Sequence, residues 1–239
     1  MKFTEDTFFN GRLNVRQHRA GYRYSIDAVI LAACAEPGST DRIVDLGTGC
    51  GIIPMILAFR YRDVRIYGIE IQAELADIAE INIETNQMDD RIQIIKGDMK
   101  SLHYRMLDGP ADLVLSNPPY RKVDTGRINP DKMRAVARHE ITITLDDVVN
   151  IAKSLLKTAG KFVVIYPAWR MTDLLICMRQ GGIEPKKLRS VHSRFGDEAR
   201  LVVVEGIKGG RPGLVIEQPV YIYKEEDVYT DEIEKMFLP

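Results

Sequence analysis

The sequence has few cysteines and lacks any long apolar run. Its 239 residues include three cysteines, Cys34, Cys50 and Cys177, and none is spaced from another as metal-binding pairs are. An odd number of isolated cysteines is typical of free thiols in a reducing compartment. No apolar stretch approaches the roughly 18 residues that cross a bilayer, and the charged first segment does not resemble a signal peptide. These absences predict a soluble, cytoplasmic protein without a metal site.

An excess of charge of one sign is also missing. Lysine and arginine together number 33 and aspartate and glutamate 34, which gives a formal net charge of −1. That balance argues against a protein that binds nucleic acid through overall basicity, although a local basic patch could still attract one. The length and the ordinary composition, 45% hydrophobic and 28% charged, favour one domain over residues 1–239.

From residue 42 onward, segments typical of strands alternate with segments typical of helices. The predicted strands are Arg42–Leu46, Arg65–Ile69, Arg91–Ile95, Ala111–Leu115, Lys161–Tyr166, Lys187–His192 and Arg200–Glu205. The predicted helices are Ile52–Arg60, Ala73–Asn86, a segment capped by Thr144 or Asp146 that runs to about Lys157, and Trp169–Arg179. This alternation predicts an α/β fold with a mostly parallel sheet and helices on both faces.

The two ends of the chain are less regular. The last two predicted strands are joined only by the short segment Ser193–Ala199, which predicts a hairpin and therefore an antiparallel strand. Leu214–Tyr223 is a candidate for one further strand, and residues 1–24 show no clear period.

A glycine-rich turn follows the strand that begins at Arg42. It reads Asp45-Leu46-Gly47-Thr48-Gly49-Cys50-Gly51. Glycines at a strand-to-helix turn let a ligand approach the backbone, and the N-terminus of the helix presents N–H groups. The spacing G-x-G-x-G differs from the G-x-G-x-x-G of dinucleotide-binding proteins, and Asp45 would repel a pyrophosphate but attract an ammonium group. The turn therefore predicts a site for an amino-acid moiety, with a purely structural turn as the alternative.

Acidic residues also follow the next two predicted strands. Glu70 can accept hydrogen bonds from both hydroxyls of a ribose. Asp98 can accept one from an adenine amino group, and Met99 can cover the adenine ring. Both features favour an adenosyl-type ligand, although each acid could instead be solvated at a strand end.

The sharpest motif is Asn117-Pro118-Pro119-Tyr120, directly after the strand that ends at Leu115. The side-chain oxygen of Asn117 and the carbonyl of Pro118 can accept the two hydrogens of a planar amino group, and so direct its lone pair toward an electrophile. Tyr120 offers a flat face on which a base can stack. Such a site predicts methyl transfer to an amino nitrogen by positioning alone, without a strong base. The alternative is a plain proline turn.

Together these motifs resemble those of class I S-adenosylmethionine-dependent methyltransferases that modify amino nitrogens. The sequence is closer still to the bacterial valine-tRNA adenine-37 N6-methyltransferases. The likeness extends to Gly21–Ala28, Ala137–Glu140 and Val204–Gly213, so that it covers nearly the whole chain. The resemblance implies a Rossmann-like fold with a seven-stranded, mostly parallel sheet and one antiparallel strand. It also implies S-adenosylmethionine as the donor and an adenine near the anticodon of a tRNA as the acceptor.

The resemblance also implies roles for individual residues. The implied cofactor-binding residues are Tyr24, Ser25, Asp27, Asp45, Gly47, Gly49, Glu70, Asp98, Met99 and Asn117. The implied catalytic residues are Asn117, Pro118 and Tyr120. The first three cofactor residues would line the mouth of the cofactor site, within an N-terminal extension, residues 1–40, that covers it.

The segment after the proline turn, Arg121–Arg138, is basic. Its basic residues are Arg121, Lys122, Arg127, Lys132, Arg134 and Arg138, against two aspartates, Asp124 and Asp131. We predict that these six residues bind the phosphates of an RNA whose target base is flipped out of its stack. A solvated loop is the alternative.

Two other functions remain compatible with the same motifs. One is a different amino methyltransferase, acting on a glutamine amide of a protein or on a guanine amino group. Glutamine-modifying enzymes usually carry a helical N-terminal domain, for which little room precedes Arg42. The other is a non-catalytic RNA-binding module, which would have no need for both Asn117 and Tyr120. A nicotinamide-dependent dehydrogenase is disfavoured by the glycine spacing.

Overall fold

The computed structural model describes residues 3–19, 24–118 and 143–239, and most of them belong to one large mixed sheet and its covering helices. The strands are β1 Phe3–Phe8, β2 Leu13–His18, β3 Arg42–Leu46, β4 Arg65–Glu70, β5 Ile92–Lys96, β6 Ala111–Ser116, β7 Leu156–Pro167, β8 Ile183–His192, β9 Ala199–Lys208, β10 Val215–Ile216, β11 Val220–Tyr221, β12 Tyr223–Glu225 and β13 Val228–Tyr229. The α-helices are α1 Ile26–Cys34, α2 Ile52–Arg60, α3 Ala73–Thr85, α4 Leu145–Leu155, α5 Met171–Gln180 and α6 Asp231–Met236.

The seven longer strands of the large sheet lie in the order β5-β4-β3-β6-β7-β9-β8. Neighbours from β5 to β7 are parallel, whereas β9 runs antiparallel to both β7 and β8. The expected α/β class, with seven main strands of which one is antiparallel, is therefore confirmed. The β8–β9 hairpin is also confirmed, because the connection of six residues is too short for a crossover helix.

Two short strands extend this sheet at the outer edge of β8. Val215 of β10 pairs with Lys187, and Val220 of β11 pairs with Val191, both in parallel. The further strand predicted over Leu214–Tyr223 is thus broken in two. Pro219 lies between the two pieces, where it has no N–H group to continue the ladder.

Helices cover both faces of the sheet, as predicted. Side chains alternate along the strands, so that Ile43 packs with α1, α2 and α3 on one face, while Val44 packs with α4 and α5 on the other. Thr144 caps α4 in a reciprocal capping box with Asp147, which confirms one of the two predicted caps. The core therefore lies in two layers, and the ends of the strands remain at the rim.

The beginning of the chain is more regular than its sequence indicates. β1 and β2 form an antiparallel hairpin whose turn contains Phe9, Asn10 and Gly11, each with positive φ. Leu13 and Val15 are buried on one face of β2. The missed signals were this alternation and the Asn-Gly pair, which is typical of tight hairpin turns.

Candidate active site

Parallel strands end side by side at one edge of the sheet and bring the predicted site residues together there. Leu46, the last residue of β3, lies opposite Ile69 of β4 and Ser116 of β6. The glycine-rich turn after β3, the acid at the end of β4 and the Asn-Pro turn after β6 therefore share this edge. Open α/β sheets bind their ligands at the carboxyl edge.

The backbone of the glycine-rich turn is largely satisfied by the protein itself. The N–H groups of Gly47 and Thr48 both donate to the carbonyl of Ile69 at 2.9 Å. Gly49 donates to Glu70 at 2.9 Å. These three N–H groups are therefore satisfied within the protein, and a phosphate would find few donors at this part of the turn.

Gly47 is the point where a ligand can approach the turn. It is exposed, its φ is +80°, and no atom lies within 4 Å of the position that a Cβ would take. Gly49 and Gly51 also have positive φ, and Gly51, the residue before α2, is in the left-handed conformation. Gly68 of β4 has a packing role, because a Cβ there would lie 2.9 Å from the Thr48 side chain. The four glycines hold the turn close to β4 and leave its tip open.

Asp45 lies beneath this turn and is completely buried. Among the described residues, neither its carboxylate oxygens nor the Thr48 hydroxyl have a hydrogen-bond partner. Burial raises the pKa of Asp45 to about 7, while the nearby Thr48 hydroxyl lowers it and the Glu70 charge raises it. A buried carboxylate without a partner is unfavourable, so the arrangement fits a cationic ligand group near this point. Because neither oxygen is exposed, direct contact would require the turn to shift.

Glu70 is the last residue of β4 and only 5% exposed. Its Oε2 accepts a hydrogen bond from Gly49 N, and its Oε1 accepts one from Gln72 N, each at 2.9 Å. A carboxylate oxygen has room for a second donor. The side chain is thus held in one orientation with acceptor capacity left for a pair of hydroxyls.

Asp98 and Met99 follow β5, the neighbour of β4. Asp98 is half-buried, and its Oδ1 accepts a hydrogen bond from Lys100 N at 2.9 Å, which caps the short 3₁₀ turn Met99–Ser101. Met99 is partly buried and packs against the core on the α4 side. Asp98 therefore has a local structural role in addition to any role toward a ligand.

Asn117 lies directly beyond β6, beside the glycine-rich turn. The hydroxyl of Ser116 is buried and donates to the carbonyl of Leu46 at 3.2 Å, which ties the two strand ends together. Asn117 is half-buried and Pro118 is buried. An amide at this place stands next to the turn in which Gly47 is open to a ligand.

The three N-terminal candidates lie at the start of α1. The backbone N–H of Tyr24 donates to Gln17 Oε1 of β2 at 3.1 Å. Ser25 is the residue before α1, and Asp27 lies in its first turn. All three are at least partly exposed. Their contact with a cofactor stays a prediction.

Asn82 is a buried residue of α3, outside the predicted site residues, and it links the hairpin to the glycine-rich turn. Its Oδ1 accepts from Arg16 N at 2.7 Å, and its Nδ2 donates to Arg16 O at 3.0 Å and to Cys50 O at 2.9 Å. No local pattern marks it, because the hairpin is 66 residues away along the chain.

Some predicted site residues lie outside the described residues. They are Tyr120 and the six basic residues Arg121, Lys122, Arg127, Lys132, Arg134 and Arg138. Within the described ranges, no group of three His, Cys, Asp or Glu side chains is arranged to hold a metal ion. Among the helices described, none has the length and apolar character required to span a membrane.

Comparisons with known proteins point to methyl transfer. The family model "methyltransferase small domain" matches residues 26–175. A Porphyromonas gingivalis protein named tRNA1(Val) (adenine(37)-N6)-methyltransferase is 32% identical over 206 residues, which cover 84% of this chain and 80% of that protein. A Dyadobacter fermentans protein of the same name is 26% identical over 234 residues, covering 92% and 90%.

Solved structures agree on the fold. The crystal structure of a predicted O-methyltransferase from Agrobacterium tumefaciens aligns with a TM-score of 0.68 and 21% identity, over 88% of this chain and 94% of that one. At this identity the likeness concerns the arrangement of strands and helices, which is shared by enzymes with different acceptors.

Proposed function

The chain belongs to the methyltransferase small domain family and to the tRNA1(Val) (adenine(37)-N6)-methyltransferases within it, and from this premise we propose that it transfers a methyl group from S-adenosylmethionine to N6 of an adenine in a tRNA. The acceptor nucleotide is the one next to the anticodon that its relatives are named for. Since tRNA is a cytoplasmic molecule, we infer that the reaction is cytoplasmic.

The residues at the carboxyl edge fit this cofactor. Gly47 leaves room for the methionine part to approach the backbone. The buried charge of Asp45, which has no partner among the described residues, complements the ammonium and sulfonium charges through the turn. Glu70 would accept the ribose hydroxyls, and Asp98 would accept the adenine amino group. When bound, S-adenosylmethionine supplies an activated methyl group on its sulfonium.

Asn117 and Pro118 would hold the target amino group. The amide oxygen and the Pro118 carbonyl accept the two N6 hydrogens, which orients the nitrogen lone pair toward the donor. The nitrogen gains the methyl group as the methyl–sulfur bond of the donor breaks, with that electron pair returning to sulfur. The nitrogen then loses one proton to water, because no strong base is required. Two further contacts are proposed on sequence alone. Tyr120 would stack on the target base, and the basic residues of Arg121–Arg138 would bind the RNA phosphates.

The observation that carries this proposal is the adjacency of Ser116 and Leu46. Their strands are in register, and the Ser116 hydroxyl bonds to the Leu46 carbonyl. The residues that follow, Asn117 and Gly47, are therefore about one strand spacing apart, roughly 5 Å. A cofactor held at Gly47 and a base held by Asn117 would therefore be neighbours beyond the strand ends, as methyl transfer requires, because reacting atoms must approach to about 3–3.5 Å.

The test is methyl transfer from labelled S-adenosylmethionine to unmodified tRNA, followed by nucleoside analysis. N6-methyladenosine in the product, absent when Asn117→Ala is used, supports the proposal. Label in a guanine or in a protein glutamine would identify a different amino methyltransferase. No transfer at all, despite measurable cofactor binding, would favour the non-catalytic RNA-binding function.

A further inference from the structure

The only tryptophan of the chain, Trp169, lies at the same edge of the sheet as Asn117. Ser116 of β6 pairs with Val164 of β7, so that both strands end at this edge. The chain leaves β7 after Pro167 and passes through a 3₁₀ turn that contains Trp169. Trp169 therefore lies at the edge of the sheet that carries the Asn117 turn, just beyond the end of the strand next to β6.

Trp169 is 61% exposed. The guanidinium of Arg170 lies 5.7 Å from the centre of the Trp169 ring and 5.3 Å from that of Tyr166. The Nε of Arg170 also bonds to Asp173 at 3.3 Å, which limits its motion. A flat apolar ring and a planar cation thus stand together at the surface, at the edge of the sheet that carries Asn117.

A second exposed aromatic ring lies farther along the same edge of the sheet. Phe195, in the turn between β8 and β9, is 86% exposed. β9 starts beside the end of β7, since Leu201 pairs with Pro167. The turn carries Asp197 and Glu198 as well as Arg194, so it has no excess of positive charge. Its contribution would be an aromatic surface rather than a phosphate contact.

We propose that Trp169 stacks on an unpaired base that flanks the target adenine, and thereby positions the RNA strand at Asn117. This inference rests on the proposed function, because it takes the substrate to be RNA. Proteins that recognise single-stranded RNA loops stack splayed bases on aromatic rings and on arginine planes. If the substrate is a protein, added tRNA should not change the indole emission, so the test below separates the two classes.

Trp169 also provides the measurement, because it is the only tryptophan in the chain. Its fluorescence is followed while unmodified tRNA1(Val) transcript is added to the enzyme saturated with S-adenosylhomocysteine. Stacking of a base should quench the indole emission. In parallel, Trp169→Ala should raise KM for the transcript by about 5- to 150-fold, the range expected for one stacked base. Trp169→Phe retains a ring and should stay within about threefold of the wild type.

The control variant is Ile216→Ala, which removes an exposed apolar side chain from β10 at the far edge of the sheet. It should leave KM unchanged. S-adenosylhomocysteine affinity and the thermal midpoint should be the same in all four proteins, since Trp169 is at the surface. If the wild type methylates adenine but the emission does not respond, or Trp169→Ala has a normal KM, the assignment is wrong and the proposed function stands. If the wild type transfers no methyl group to RNA, both the role of Trp169 and the proposed function are wrong.

Discussion

The carboxylate of Glu70 accepts a hydrogen bond from the backbone N–H of Gly49, with 2.9 Å between Oε2 and N. Two of the predicted cofactor-binding residues thus form one structural unit. The other oxygen of Glu70 accepts from Gln72 N. The same side chain therefore shapes the glycine-rich turn and presents the acceptors for a ribose.

Replacement of Glu70 by alanine should weaken cofactor binding by about tenfold or more, because hydrogen bonds to a charged group contribute about 1.5–3 kcal/mol each. It should also lower the thermal midpoint, since the N–H groups of Gly49 and Gln72 lose their acceptors. Calorimetric titration with S-adenosylmethionine and a thermal melt measure the two effects. Glu84→Ala, an exposed acid on α3, is the matched control. Unchanged affinity in Glu70→Ala would mean that Glu70 does not hold the ribose.

Asn117→Ala should reduce kcat by about 100-fold or more while cofactor affinity changes little. The amide would act only when the target nitrogen attacks, and removal of one such positioned group typically costs about 10²–10³ in kcat. Single-turnover transfer to unmodified tRNA, together with a cofactor titration, separates the two quantities. A large loss of cofactor affinity would instead place Asn117 in the cofactor site alone.

Asn82→Ala should lower both the stability and the cofactor affinity, although Asn82 is not a proposed ligand. The change leaves the N–H and carbonyl of Arg16 and the carbonyl of Cys50 without their partner. An unsatisfied buried group costs about 1–3 kcal/mol, so we expect a loss of roughly 2–4 kcal/mol in the free energy of unfolding, measured in urea. Asn150→Ala, an exposed asparagine on α4, is the control. Equal stability of the two variants would show that the hairpin is not held through Asn82.

Much of the site could be predicted from the sequence because its signals are local. Gly47 and Glu70 each follow an apolar strand, and parallel strands must end at one edge, so their meeting follows from the alternation of strands and helices. The link between Asn82 and Arg16 could not be predicted, since it joins a helix to a hairpin 66 residues earlier. The satisfied N–H groups of Gly47 and Thr48 were missed for a similar reason. Their acceptor, the carbonyl of Ile69, belongs to the neighbouring strand.

Asp45 makes the stability of the cofactor-free protein depend on pH. Burial raises the pKa of Asp45 from 3.8 to about 7 in the folded protein. The folded state therefore binds the proton more tightly than the unfolded state. The stabilising effect of this tighter proton binding on the folded state is complete below about pH 4 and is lost as the pH rises through about 7. With 1.36 kcal/mol per pKa unit, the loss approaches about 4 kcal/mol.

Asp45→Asn should cancel this pH dependence, because an amide has no charge to bury. The free energy of unfolding in urea, measured without cofactor, should be similar for the two proteins near pH 4, should favour the variant increasingly up to about pH 7, and should differ by a constant amount above that. The variant should nevertheless bind S-adenosylmethionine more weakly above pH 7, since the carboxylate charge that complements the sulfonium and ammonium groups is gone. A constant stability difference between about pH 4 and about pH 7 would mean that Asp45 is not protonated on folding. A variant that is more stable and yet binds less cofactor would identify the buried charge as unfavourable in the empty protein and compensated by the ligand.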